Sequence, residues 1–548
     1  MHKYLIGILA FAALIFTSCN QDLLNEDQKG VVSTESFYKT ADDAESAAVA
    51  AYRAGQYCYN MGSGFAVAWC IAPPLLILEN APSDDIYYGS GNKDDHTFGL
   101  EINEFRDSFT DNSTVVGNLY QGFYQMIYVC NLLTDHFQYG SDARINRAVA
   151  EASVLSAWAH FKLACLWDNP PLVDHVLSDS DKPGNTPHAE ILKWVIDKCL
   201  EASKYLPSKS NVDDGNLSIR LTKEAALAFA GKAQIFAGDY AGAKETLGKV
   251  INSHLYKLVP GDQMQNLFHM AGDGCSEKIF EYNYINNPGN DPTFNGIFHP
   301  QVNASCFWRD IYLPSNVLVN DGWGGINPSA SFSEALIAND GVNSYRRKAW
   351  IVTYDDLLNT LPYTDETHKG IKSKNGVFGN AGYWSYKRVP LRSDLVANST
   401  SNTQQNTVVM RYAEVLLLYA EACAKVGDDG TGLAALNEVQ VRAGSKHISS
   451  VCSMDEVKNE KRFEMYLEGC RYYDLVRWGD AAKVLGEQGK SVPTAFDKIN
   501  EGSSTHELYV VYNQYNKNYG FKVGKNEYMP YPFSEISTNK NIVQNPGW

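Results

Sequence analysis

Apolar residues recur at three- and four-residue steps along most of the chain, the mark of helices with one buried face. In GNLYQGFYQMIYVCNLLTDHF they fall at Leu119, Phe123, Met126, Ile127, Cys130 and Leu133. INRAVAEASVLSAWAHFKLACLW repeats the pattern until Pro170 and Pro171 stop it. The two runs predict an antiparallel helical hairpin. Upstream, Thr40 stands as a cap before the alanine-rich ADDAESAAVAAYRAG, a third helix.

Two later stretches pair helices more closely. TKEAALAFAGKAQIFAGDYAGAKETLGKVI (222–251) places Gly231, Gly238, Tyr240 and Ala243 so that small residues let two helices approach. AGDY makes the turn between them and Tyr240 fills the notch. RYAEVLLLYAEACAKVGDDGTGLAALNEVQVRAG (411–444) has the same plan around Ala420 and Gly427, with a longer turn expected. Both resemble tetratricopeptide repeats, whose faces need neighbours to cover them. The pattern predicts a mainly α fold, a tetratricopeptide-repeat-like helical scaffold with a loop-rich inserted region. The scaffold falls in 37–270 and 407–548. Between them, 271–406 turns to Gly, Asn, Pro and aromatics (NDGWGGINPSASF, AGYWSYKRVP), and 57–113 reads similarly. Loops hung on a rigid frame are where binding residues collect.

Charge enters the pattern most densely in EKRFEMYLEGCRYYDLVRWG (460–479). On one helix, Phe463, Tyr466, Leu467, Cys470 and Tyr473 would share an apolar face, with Glu460, Glu464, Glu468 and Arg471 in a stripe beside it. The spacing predicts the pairs Glu468–Arg471 and Arg471–Asp474. A stripe bordering a core face reads as an ionic packing network, not an acid/base site.

Composition narrows the function. With 47 basic and 63 acidic residues the formal charge is −16, which argues against nucleic acid as a partner. MHKY followed by the apolar run Leu5–Phe16 suits a signal peptide (1–18) and is too short to span a bilayer. FTSC then places Cys19 as the lipidated residue of a bacterial lipobox, with a polar tether over 19–36. The other cysteines are scattered singly, without CxxC or HExxH, and the histidines have no ligand spacing. No metal site, no cofactor and no catalytic residue are expected. A polysaccharide lyase or hydrolase remains only through carboxylates whose separation a sequence does not give.

In one order along the chain stand the lipobox, LYQGFYQMIYVCNLL, MRYAEVLLLYAEACAKVGD, EKRFEMYLEGCRYYDLVRWG and the terminal YMPYPFSEISTNKNIVQNPGW. Together they resemble the SusD/RagB family of surface glycan-binding lipoproteins. The resemblance implies a non-catalytic protein on the outer-membrane surface. It would bind an oligo- or polysaccharide and sit as a lid on a SusC-like TonB-dependent transporter. An adaptor gripping peptide or other cargo is the alternative, because tetratricopeptide frames are general interaction surfaces. A glycan site needs exposed aromatics to stack on sugar C–H faces and polar groups to meet hydroxyls. Tyr87 and Tyr88 in SDDIYYGSGN, Trp308 with Arg309 in CFWRDIY, and Trp323 with Asn320 and Asp321 in NDGWGGIN are the candidates.

Overall fold

The computed structural model describes residues 37–61, 73–211, 220–284, 308–314, 316–319, 322–395 and 403–548. The signal peptide, Cys19 and the tether lie outside them, as do Asn320 and Asp321. The first half is helical: α1 (Ala41–Met61), α2 (Pro74–Asn80), α3 (Thr97–Asn103), α4 (Thr114–His136), α5 (Ala143–Trp167), α6 (His188–Ala202), α7 (Lys223–Phe236) and α8 (Tyr240–Ile251). Three shorter helices follow, α9 (Ala330–Asp340), α10 (Tyr345–Trp350) and α11 (Tyr354–Asn359). The C-terminal part holds α12 (Tyr412–Val426), α13 (Asp429–Ala443), α14 (Met454–Glu464), α15 (Arg471–Arg477), α16 (Ala481–Leu485) and α17 (Phe533–Thr538). The chain is mainly α, and its long helices stack in pairs: α1 on α4 and α5, then α5 on α6, α6 on α7, α7 on α8, α8 on α12 and α12 on α13.

Local chemistry sets these elements. Thr40 caps α1, its hydroxyl accepting the Asp43 N–H (3.2 Å) while the Asp43 carboxylate takes the Thr40 N–H (2.8 Å). All six periodic apolar residues of α4 are fully buried. α5 ends at Trp167, before Pro170, with Asp168 in a left-handed turn (φ 65°). In the first repeat Gly231 lets Leu247 of α8 lie on the backbone of α7: a Cβ there would sit 2.4 Å from Leu247 Cδ2. The second repeat departs from expectation. Its turn is shorter than the first, because Gly427 (φ 77°) closes α12 and Asp428 already opens α13.

Short antiparallel strands stitch the loop-rich region to the frame. β1 (Ile86–Tyr88) pairs β3 (Ile326–Pro328), β2 (Lys278–Tyr282) pairs β7 (Thr407–Arg411), and β4 (Ile351–Thr353) pairs β6 (Tyr383–Ser385). β5 (Val377–Phe378), β8 (Ser491–Asp497) and β9 (Leu508–Gln514) form a three-stranded sheet in that order.

The charged stretch 460–479 is scaffold, but not one helix. It breaks after Glu464, turns through Leu467 (φ 57°) and Gly469 (φ 69°), and restarts as α15. Phe463, Tyr466, Leu467, Cys470 and Tyr473 are all buried, on two helices and the turn between them. Neither predicted pair forms: Glu468 binds Arg411 and Lys387 (2.6 Å each), and Arg471 binds Asp84 (2.8 Å). Asp474 instead pairs with Lys461 (2.9 Å) and Arg477 (2.8 Å). The break lets each charge reach a partner far along the chain, where burial makes pairing obligatory.

At the centre Glu464 is fully buried between Arg411 (2.6 Å), Arg442 (2.5 Å) and Arg346 (3.1 Å). Glu277 bridges Arg411 (2.8 Å) and Arg442 (2.6 Å), and Arg346 also binds Asp340 (2.8 Å) and Glu460. Burial raises the Glu464 carboxyl, but Arg442, Arg411 and Arg346 outweigh it and hold it at about 2. Glu468 also falls to about 2 against burial, under Arg411 and Lys387. Lys387 falls to about 7, through burial first, with Glu468 opposing and Arg411 adding to the fall. The pair is lopsided, because Glu468 has two cations and Lys387 shares its carboxylate with an arginine.

Candidate functional site

β1 and the loop after it place the sequence candidates. Strand alternation sends the two tyrosines to opposite faces. Tyr88 points inward, 1 % exposed, its ring at 6.2 Å from Phe98 and its N–H on Asn103 Oδ1 (3.1 Å). Tyr87 is half-buried on the other face. Burial first, then the neighbouring Tyr512 and Glu334, push its hydroxyl up to about 12. Tyr512 of β9 is itself 47 % exposed.

Trp323 stands out from the surface, 48 % exposed. Its ring is braced on two sides. His96 meets it edge-on at 5.2 Å, and the Arg309 guanidinium lies 5.8 Å from its centroid. Arg309 is held in turn by Asp95 (3.4 Å) and Asp310 (3.2 Å). Asp95 also accepts the Gly91 N–H (3.0 Å), which ties the 90–96 loop into the cluster. Partial burial, opposed by Asp95 and assisted by Arg309, lowers the His96 imidazole, so it is neutral at physiological pH. A fixed indole face with a guanidinium and an acidic group at its rim suits a ring with an apolar face and hydroxyl edges.

The structure thus brings Trp323 and Arg309 together and places Tyr87 beside Tyr512. Trp308 goes elsewhere: it is 3 % exposed, part of the continuous core, and leaves no ring face free for a sugar. Trp308 holds the neighbouring turn from within, its carbonyl accepting the Gly322 N–H (2.5 Å). Sequence reading missed His96, Asp95 and Tyr512. No local signal marks them, because their relation to Trp323, Arg309 and Tyr87 is made by contacts between distant segments. The adjacent acids Asp84 and Asp85 are committed to Arg462 (2.8 and 2.7 Å), and Asp84 also to Arg471. Among the described residues no group of three or more His, Cys, Asp or Glu is set to hold a metal, and no helix is long and apolar enough to cross a membrane.

A stack of antiparallel helix pairs that carries an aromatic, loop-borne surface is the build of a binding protein. The comparisons give the class its family. Residues 276–548 match the SusD family model, and 85–235 match a model described as starch-binding associating with outer membrane. The starch-binding protein SusD of Bacteroides thetaiotaomicron is 32% identical over 455 residues, 76% of each chain. The chain belongs to the SusD family. A SusD-like protein, P2, of Formosa agariphila is 25% identical over the whole of both chains. In fold it is similar to a laminarin binding SusD-like protein, with TM-score 0.72 at 24% identity, covering 92% of this chain and 99% of that one. It is likewise similar to surface glycan-binding protein A from Bacteroides thetaiotaomicron in complex with laminarihexaose, with TM-score 0.71 at 20% identity and the same coverage. SusD and the two structural relatives are named as binding proteins.

Proposed function

We propose that this protein is a lipid-anchored, non-catalytic receptor on the outer-membrane surface. It captures a glycan on the Trp323 face and passes it to a SusC-like TonB-dependent transporter. The single observation that carries the glycan reading is the exposed Trp323 indole, braced by Arg309 and His96 on a frame shared with glycan-binding relatives. Tyr87 and Tyr512 supply a second aromatic patch, and Asn320 and Asp321 are the polar partners next to Trp323 in sequence. Cys19 carries the anchor.

The test uses the full-length chain in detergent, run through native gels cast with a panel of plant, host and microbial polysaccharides. Retardation by one polymer is expected, with affinity about ten-fold lower in Trp323→Ala, equivalent to about 1.4 kcal/mol of stacking. Retardation by none, or a Trp323→Ala variant that binds like the wild type, would sink the reading. Labelled lipid should enter the wild type and not Cys19→Ala.

A further inference from the structure

A second concave surface shares no residue with the Trp323 cluster. It lies where the first turn of α4 meets α17, and encloses about 630 Å³, a volume in the range of small-ligand sites. Its wall is aromatic. The Tyr120 and Tyr124 rings are 4.9 Å apart, and the Tyr124 hydroxyl donates to the Pro171 carbonyl (2.8 Å). Tyr120 is only 4 % exposed, its hydroxyl shielded against the Tyr124 side chain. Burial, then the adjacent Tyr124, raise that phenol well above its ordinary range, so it stays a donor.

The other groups describe that partner. Phe533 stands at the rim, 55 % exposed, a platform for an apolar face. Gln121 and Asn112 offer amides and Thr538 a hydroxyl. The N-cap of α4, Ser113, also lines the cavity and makes no side-chain cap bond, so the first N–H groups of the helix have no partner from it. Asp111 and Glu535 are the acids within; partial burial raises the Glu535 carboxyl, and the Asn539 side chain partly offsets the rise. Among the described residues no lysine or arginine lines the cavity, and two acids do, which disfavours a phosphate, sulfate or uronate. A wholly apolar ligand would leave the amides and the carboxylates of the cleft without partners. A neutral sugar fits both demands, with C–H faces for Phe533 and hydroxyls that donate to Glu535 and accept from the Gln121 amide.

We propose that this cleft is a second glycan site, taking the end of a short neutral oligosaccharide independently of Trp323. It rests on the glycan-binding reading above, and the experiment separates the two. The full-length chain in detergent is titrated by calorimetry with neutral hexasaccharides of glucose, mannose, galactose and xylose. Hydrogen exchange is followed at 111–121 and 532–538. The expected result is residual binding in Trp323→Ala, with added protection of those two segments. That residual should weaken ten-fold or more when Phe533→Ala or Glu535→Gln is added, with unchanged melting. Gln121→Ala, a solvent-facing change, should weaken it with no effect on folding. If Trp323→Ala binds nothing while Phe533→Ala matches the wild type, the second cleft is wrong and the first reading stands. If Phe533→Ala removes all binding and Trp323→Ala none, the cleft stands and the Trp323 face falls. No heat with any hexasaccharide overturns both.

Discussion

Glu464 shows what a single side chain holds. Three guanidinia face it in the core, so replacing it takes one carboxylate away from each of three buried arginines at once. Glu464→Gln should cost about 3 to 5 kcal/mol by urea unfolding, the usual penalty for breaking a buried pair from one side. The pH sign follows from the folded carboxyls of Glu464 and Glu468, both held at about 2 against an ordinary 4.5. Their stabilisation is present above pH 4.5 and lost as pH falls from there toward 2. Unfolding free energy measured across that window should drop steeply in the wild type and less in Glu464→Gln; equal slopes would place the acid sensitivity elsewhere. The same scale marks how far residues were legible. Trp308 in CFWRDIY and Trp323 in NDGWGGIN both lie in the loop-rich stretch with an aspartate two residues away, yet one is core and the other surface. What separates them is the packing of loops onto helices, which no local pattern encodes.

At the scale of elements, periodicity carried most of the information. α1, α4, α5 and both helix pairs were readable because each buries one face at helical spacing, and that spacing is local. The 460–479 stretch was not, because its partners lie elsewhere: Arg411, Lys387 and Asp84 are reached only by breaking the helix at Leu467 and Gly469. The cleft beside α17 was equally silent, being made by two segments more than four hundred positions apart. The repeat geometry itself is testable. Gly231→Ala drives a methyl into Leu247 and should destabilise by about 1 to 3 kcal/mol. Gly430→Ala in α13, where a Cβ meets nothing within 4 Å, should instead be neutral or stabilise by up to about 1 kcal/mol. Equal effects in chemical denaturation would mean that the α7–α8 contact is not tight.

For the whole molecule, the N-terminal helices and the C-terminal segment are locked together. Trp167 at the end of α5 donates its indole N–H to the Pro530 carbonyl (2.8 Å). Its own carbonyl accepts from Tyr531 Oη (2.8 Å) and Asn545 Nδ2 (3.2 Å). The Met529 N–H reaches Leu166 as well (2.7 Å). Truncation after Tyr528 should therefore lower the melting temperature of the N-terminal helices too, and calorimetry of the intact chain should show one transition. Two well-separated transitions would count against that coupling. The buried ionic network has a similar reach. Arg346, on a helix of the loop-rich excursion, is neutralised by Glu460 and Glu464 of the C-terminal frame and by Asp340 of its own segment. The excursion is thus no interchangeable cassette. A chimera that transplants a relative's loops to change sugar preference inherits a charge-matching rule: the incoming segment must bring its own Arg346–Asp340 pair, or Glu460 of the recipient frame is left buried without its counterion.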